Sequence, residues 1–170
     1  FMGEEWGAST PWQFFTSHPE QWLGEAVRKG RAEEFAKTDW DESLVPDPQD
    51  PATFQSAKLA WEEAEAGDHA RILALYRELA RLRRERPELT DPASAHLSAA
   101  IEQPDAAPSA RRFVLGRGAL RIIVNLAADP WDVPLAEAER VLLATVPVSP
   151  AAGTVSVPAD AAVVLGAPLP

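Results

Sequence analysis

The hydrophobic period of this chain changes near Pro92, and that change limits the fold more than any single residue does. Before it, apolar residues recur at helical spacing. After it, they alternate or bunch in short runs, as in strands that face or fill a core. Helices and strands segregated in this way describe an α+β chain, not an alternating α/β one.

The clearest helix runs from His69 to Arg86, where Ile72, Leu75, Tyr76, Leu79 and Leu82 form one apolar stripe. Arg81, Arg83, Arg84 and Arg86 crowd its last turns, where positive charge complements the helix dipole, and they read as a solvated face. A second helix is expected over 23–37 despite Gly30, which costs about 1 kcal/mol relative to alanine. The segment Val45-Pro-Asp-Pro-Gln-Asp-Pro51 is irregular, because each proline removes a donor and restricts the residue before it. Asp50 can cap, and Pro51 suits a first helical position, so a third helix is expected over 51–65 with Phe54, Ala57 and Trp61 on one face. Gly67 interrupts, and Asp68 is a further cap candidate.

Beyond Pro92, strands are expected at 96–101, 111–116, 119–126, 139–146, 154–157 and 161–166, with prolines in the gaps. Arg117 between Gly116 and Gly118 marks a hairpin. Short strands at this spacing suggest a small antiparallel β-sandwich. Two domains follow: 1–92, helices and loops, and 93–170, the sandwich.

Composition removes whole classes of function. The formal charge of −10 argues against nucleic acid as a partner. The absence of cysteine excludes disulfides, thiolate nucleophiles and Cys-based metal sites. No apolar run approaches the roughly 20 residues that span a bilayer, so no membrane partner is expected, and a cytoplasmic location is. His18, His69 and His96 share no metal-ligand spacing, so no metal is expected, and with neither a P-loop nor a Gly-x-Gly-x-x-Gly motif in the chain no cofactor is expected. His18 reads as a loop histidine.

Two features could carry chemistry. Phe1 and Met2 read as a strand end, and in extended chain the adjacent Glu4 and Glu5 point to opposite sides. They cannot then form a glycosidase pair, whose carboxyls face each other across a bond about 5–5.5 or 6.5–9.5 Å apart. One is expected to be buried and paired, the other solvated. Five of the six tryptophans lie in the first 61 residues. Trp22, Trp40 and Trp61 read as core, whereas Trp6 and Trp12, near acidic residues, are equally suited to stacking on sugar faces.

Phe1-Met-Gly-Glu-Glu-Trp-Gly7 resembles the end of the eighth barrel strand of the α-amylase superfamily of glycoside hydrolases. Thr10-Pro-Trp-Gln-Phe-Phe-Thr-Ser-His18, Gly30-Arg31, Glu34-Phe35 and the proline-rich segment through Phe54 resemble the malto-oligosyltrehalose trehalohydrolase family within it. Lys58, Leu59 and Trp61 continue the likeness, which covers about the first 90 residues and is weaker beyond. The resemblance implies the C-terminal end of a (β/α)8 barrel, with loops and about three helices, followed by the sandwich. A whole barrel takes about 250 residues, so the chain reads as a fragment cut within a strand. The superfamily's catalytic trio is then upstream of Phe1, and no catalytic residue is assigned. Loops after barrel strands line the active-site face, which makes Glu4, Glu5, Trp6 and Trp12 the candidate substrate-binding residues. The implied partners are a malto-oligosaccharide-type substrate and the upstream barrel of the same chain. The rival expectations are a glycogen-branching-type transglycosidase and a self-standing, non-catalytic carbohydrate-binding or structural module.

Overall fold

A computed structural model describes residues 1–37, 45–93, 96–102, 105 and 107–168. It divides into two compact units, Phe1–Ala74 and Leu75–Pro170.

The first unit opens with a turn where a strand end was expected. The Glu4 N–H donates to the Phe1 carbonyl at 3.1 Å, and Glu4–Trp6 form a single 3-10 turn bracketed by Gly3 and Gly7. Both glycines have positive φ, 88° and 62°, which residues with a Cβ adopt at a cost. Helix α1 spans Gln21–Phe35 and takes Gly30 at an open position, with nothing near its missing Cβ.

Helix α2 spans Pro51–Ser56 and starts as its signals dictate, with the Asp50 carboxylate accepting the Ala52 N–H at 2.8 Å. It does not run on to residue 65. The Ser56 hydroxyl lies within donating reach of the Thr53 carbonyl, at 2.9 Å, and of the Gln13 side-chain oxygen, at 3.0 Å, and its one hydrogen serves one of them at a time, competing with continued helix. A separate 3-10 turn, Trp61–Glu65, follows, and helix α3 then spans Gly67–Glu85.

The prolines around Gln49 build a joint from side chains. Asp47 accepts the Gln49 N–H at 2.9 Å and Arg28 Nε at 2.6 Å, and the first of these chiefly holds its carboxyl below the ordinary carboxylate range. Gln49 in turn donates to the Thr16 hydroxyl at 2.7 Å and accepts the His18 N–H at 3.3 Å.

Among the described residues, the second unit holds the short helix α4 (Pro87–Thr90) and seven strands. These are β1 (Leu97–Glu102), β2 (Arg112–Arg117), β3 (Leu120–Asn125), β4 (Trp131–Pro134), β5 (Arg140–Ala144), β6 (Thr154–Val157) and β7 (Ala161–Gly166). One sheet has the order β1-β2-β3-β7-β5, the other pairs β4 with β6, and every pairing is antiparallel. Ile123, Val163 and Leu165 of the large sheet meet Val133, Val155 and Val157 of the small one in a closed apolar core. The fold is thus α+β, with an antiparallel sandwich as its β part.

Three details depart from expectation. Strand β4 carries no β-branched run, follows Pro130 and ends on Pro134, so only its pairing with β6 reveals it. Arg117 pairs with Leu120, so the hairpin turns at Gly118 and Ala119, with Gly118 at φ 57°. Arg86 is buried and does not join the solvated arginines: its guanidinium donates to the Ala167 carbonyl. Arg81 behaves as expected, pairing with Glu78 and Glu85 on the surface.

Candidate functional site

Trp6, Trp12, Phe15, Phe54 and Trp61 of the first unit line a cleft of 560 Å³. The 3-10 turn places Trp6 in its floor, 5 % exposed, with its ring 5.1 Å from that of Trp61. Trp12 and Trp61 stand at the rim, 65 % and 68 % exposed. Glu5, Thr10, Gln13 and Lys58 add polar groups to an otherwise apolar lining. Indole faces flanked by a few hydrogen-bonding groups suit a sugar, whose rings have apolar faces and polar edges.

The turn that carries Glu5 and Trp6 is tied from several directions. His69 Nδ1 lies 2.9 Å from the Trp6 carbonyl oxygen, which can only accept, so Nδ1 carries the hydrogen. The Glu63 carboxylate accepts both the backbone N–H of Ser9, at 3.0 Å, and the Ser9 hydroxyl. The Thr10 hydroxyl donates to the Lys58 carbonyl at 3.3 Å. The Ser9 hydroxyl is the chief cause of a Glu63 carboxyl held below its ordinary range, its N–H the next. The buried Trp6 indole N–H has no hydrogen-bond partner of good geometry, yet it faces Glu63 closely enough to favour the ionised form.

The candidate residues do not all meet. Glu5, Trp6 and Trp12 line the cleft. Glu4 is outside it and exposed. Neither glutamate is buried, because a 3-10 turn between two glycines projects both outward. Trp22 is 69 % exposed and Trp61 forms part of the rim, so neither is the core residue that was expected. Trp40 lies outside the described residues. His18 is a loop residue anchored by Gln49.

Lys58, Trp61 and Glu63 were not singled out as site residues. Trp61 was hidden by its i, i+7 spacing from Phe54, and the Ser9–Glu63 contact joins residues too distant in sequence for any local pattern to signal. Among the described residues, Glu5 is the one carboxylate in the cleft lining. A lone carboxylate can orient a sugar hydroxyl but cannot supply both the acid and the nucleophile of glycoside hydrolysis.

Comparison with known proteins places this cleft in a family. A malto-oligosyltrehalose trehalohydrolase from Rhizobium sp. (strain M-11) is 53 % identical over 130 residues, covering 76 % of this chain and 21 % of the relative. The trehalohydrolase of Brevibacterium helvolum is 64 % identical over 91 residues, 54 % of this chain and 15 % of its own. That of Deinococcus radiodurans is 43 % identical over 151 residues, 85 % of this chain and 24 % of its own. The chain belongs to the malto-oligosyltrehalose trehalohydrolase family, as its C-terminal part.

It spans about a fifth of the length of these relatives. Residues 94–164 match a family described as a domain of unknown function (DUF3459). A crystal structure from Salmonella typhimurium assigned as an α-amylase aligns with a TM-score of 0.69 at 32 % identity, over 98 % of this chain and 27 % of that one. The fold of the chain is thus that of the matching part of this α-amylase-type structure.

Proposed function

We propose that the full-length protein hydrolyses the α-1,4-glucosidic bond next to a terminal trehalose unit of a malto-oligosyltrehalose and releases trehalose. The observation that carries this is the cleft of Glu5, Trp6 and Trp12 on a segment whose trehalohydrolase relatives share its sequence so closely. The chemistry would be retaining: one carboxylic acid protonates the leaving oxygen, a carboxylate forms a covalent glycosyl intermediate, and water releases it. Those carboxylates belong to the upstream barrel. The segment described here contributes binding and support.

In this proposal residues 1–92 are the end of the barrel and residues 93–170 the domain that braces it. Among the described residues all seven strands lie from Leu97 onward, and the DUF3459 match begins at residue 94, which supports a division near Pro92. Within the cleft, Trp12 offers an exposed ring face to a glucose unit, Glu5 accepts a sugar hydroxyl, and Trp6 backs them from below. A cytoplasmic location completes the proposal and is checked by fractionating cells that express the tagged full-length protein.

The decisive experiment incubates malto-oligosyltrehalose with the full-length protein and, separately, with the 170-residue chain, and follows trehalose by chromatography. Release by the full-length protein alone is expected. Release by the short chain would refute the assignment of the catalytic carboxylates upstream. Transfer of glucan to another sugar, with no trehalose formed, would favour a branching-type transglycosidase.

A further inference from the structure

We infer that Glu63 is a positioning residue for the sugar-binding turn, holding Glu5 and Trp6 against the cleft through Ser9 without itself lining the cleft. The inference rests on the proposal that this cleft takes a glucan; the clamp itself is seen directly in the geometry.

Glu63 is absent from the cleft wall. Its carboxylate faces Ser9 instead and accepts from that residue twice, through the backbone N–H and through the hydroxyl. Ser9 lies two residues beyond Gly7, whose positive φ gives the exit of the turn a hinge that a residue with a Cβ would not provide. Two donors on one residue, converging on one ionised acceptor, fix both the position and the rotation of that exit. Hydrogen bonds to an ionised acceptor are also stronger than neutral ones.

The neighbouring contacts act in the same sense. A Cβ on Gly3 would lie 2.8 Å from Leu59 Cδ2, so the entry of the turn rests on Leu59. Thr10 is tied to the Lys58 carbonyl, and Trp6 packs on Trp61. The segment from Lys58 to Glu63 thus forms a cradle for the whole turn, and Glu63 closes it. With Glu63 gone, Ser9 would exchange its bonds for water, and Glu5 and Trp6 would sample other positions. Sugar binding would weaken, while the catalytic groups, held by other parts of the barrel, would be little affected.

The test uses the full-length protein with Glu63→Ala, Glu63→Gln, Ser9→Ala and the Ser9→Ala/Glu63→Ala pair. For malto-oligosyltrehalose, Glu63→Ala is expected to raise KM about tenfold with kcat within about twofold, the pattern of lost ground-state binding. Glu63→Gln keeps one acceptor and is expected to recover part of that loss. Ser9→Ala should add little in the Glu63→Ala background, because the two residues act as one unit. An unchanged KM in active Glu63→Ala, or a lower melting temperature with both kinetic constants intact, overturns the inference. Amide hydrogen exchange over residues 3–10 gives a readout that needs no activity: Glu63→Ala and Glu63→Gln should both exchange faster, and protection equal to wild type overturns the positioning role. Failure of the wild-type protein to release trehalose would refute the proposed function instead, and the exchange result would still decide the role of Glu63.

Discussion

Arg121 on β3 and Glu139 ahead of β5 meet side by side, with Nε 2.7 Å from Oε1 and Nη2 2.5 Å from Oε2. The same guanidinium donates to the Pro134 carbonyl on β4 at 2.8 Å, and Glu139 also accepts the Ala136 N–H at 2.8 Å. One ion pair therefore links the large sheet to the small one. The hydrogen bond from Arg121 chiefly holds the Glu139 carboxyl below its ordinary 4.5. A carboxyl whose folded pKa lies below its unfolded one stabilises fully above the unfolded value and loses that effect as pH falls through the folded value. The melting temperature of the 170-residue chain is therefore expected to fall as pH drops below about 4.5. In Glu139→Gln it should be lower at pH 7, by about 1 kcal/mol of stability for a partly exposed charged hydrogen bond, and should fall less on acidification. Melts by circular dichroism from pH 7 to pH 3 check the sign; equal acid sensitivity in the two proteins would contradict it.

Asn125 is the buried polar centre of the sandwich. It is fully buried, and its amide nitrogen lies within hydrogen-bond reach of the Asp129, Val157 and Pro158 carbonyls, at 2.9, 3.0 and 3.0 Å. Its carbonyl accepts the Ala127 N–H at 3.1 Å. Replacing it by leucine, similar in size, strands these backbone groups in an apolar core, at about 2–4 kcal/mol. Asn125→Asp should do no better, because it sets an acceptor against carbonyls. Urea unfolding measures both, and a leucine variant as stable as wild type would show that water satisfies the freed groups.

Some of this was legible and some was not, for physical reasons. The Arg121–Asn125 run is a strand by local preference and by burial alike, and the stripe from Ile72 to Leu82 by its period alone. The cap at Asp50 is a contact over two residues, so local sequence contains it. The break after Ser56 is different: it depends on Gln13, which only the folded chain brings near. Trp6 and Trp12 were legible as cleft residues through family resemblance. Trp61 was not, because an aromatic at helical spacing looks the same whether it faces a core or a rim. Glu63 carries no local mark of its role, since its partner is set by the path of the chain between them.

Gly3 and Gly30 should respond to alanine in opposite directions. Gly3 has φ 88°, and a Cβ there would meet Ala8 Cβ and Leu59 Cδ2, each at 2.8 Å. Gly3→Ala is expected to cost more than about 1 kcal/mol and to disturb the cleft floor. Gly30 lies in α1 with nothing within 4 Å of its missing Cβ. Gly30→Ala should stabilise by up to about 1 kcal/mol, by removing backbone freedom from the unfolded chain. Thermal melts of the two variants beside wild type test the contrast, and a shift of the same sign in both would defeat it.

Gly24 and Gln49 should behave as a coupled pair. Gly24 is buried in α1, and a Cβ there would lie 3.3 Å from Gln49 Cδ and 3.5 Å from Gln49 Nε2. Gly24→Ala would push Gln49 away from Thr16 and His18, so the helix-favouring gain of alanine is offset by loosened hydrogen bonds. Gln49→Ala alone should cost about 1–2 kcal/mol, for two half-buried hydrogen bonds. Once Gln49 is truncated, the space opens, and Gly24→Ala should become stabilising. The double-mutant cycle is thus expected to show a coupling of at least about 0.5 kcal/mol, with the alanines better together than apart. Strict additivity in chemical denaturation would mean that α1 and the proline-rich joint are held by other contacts.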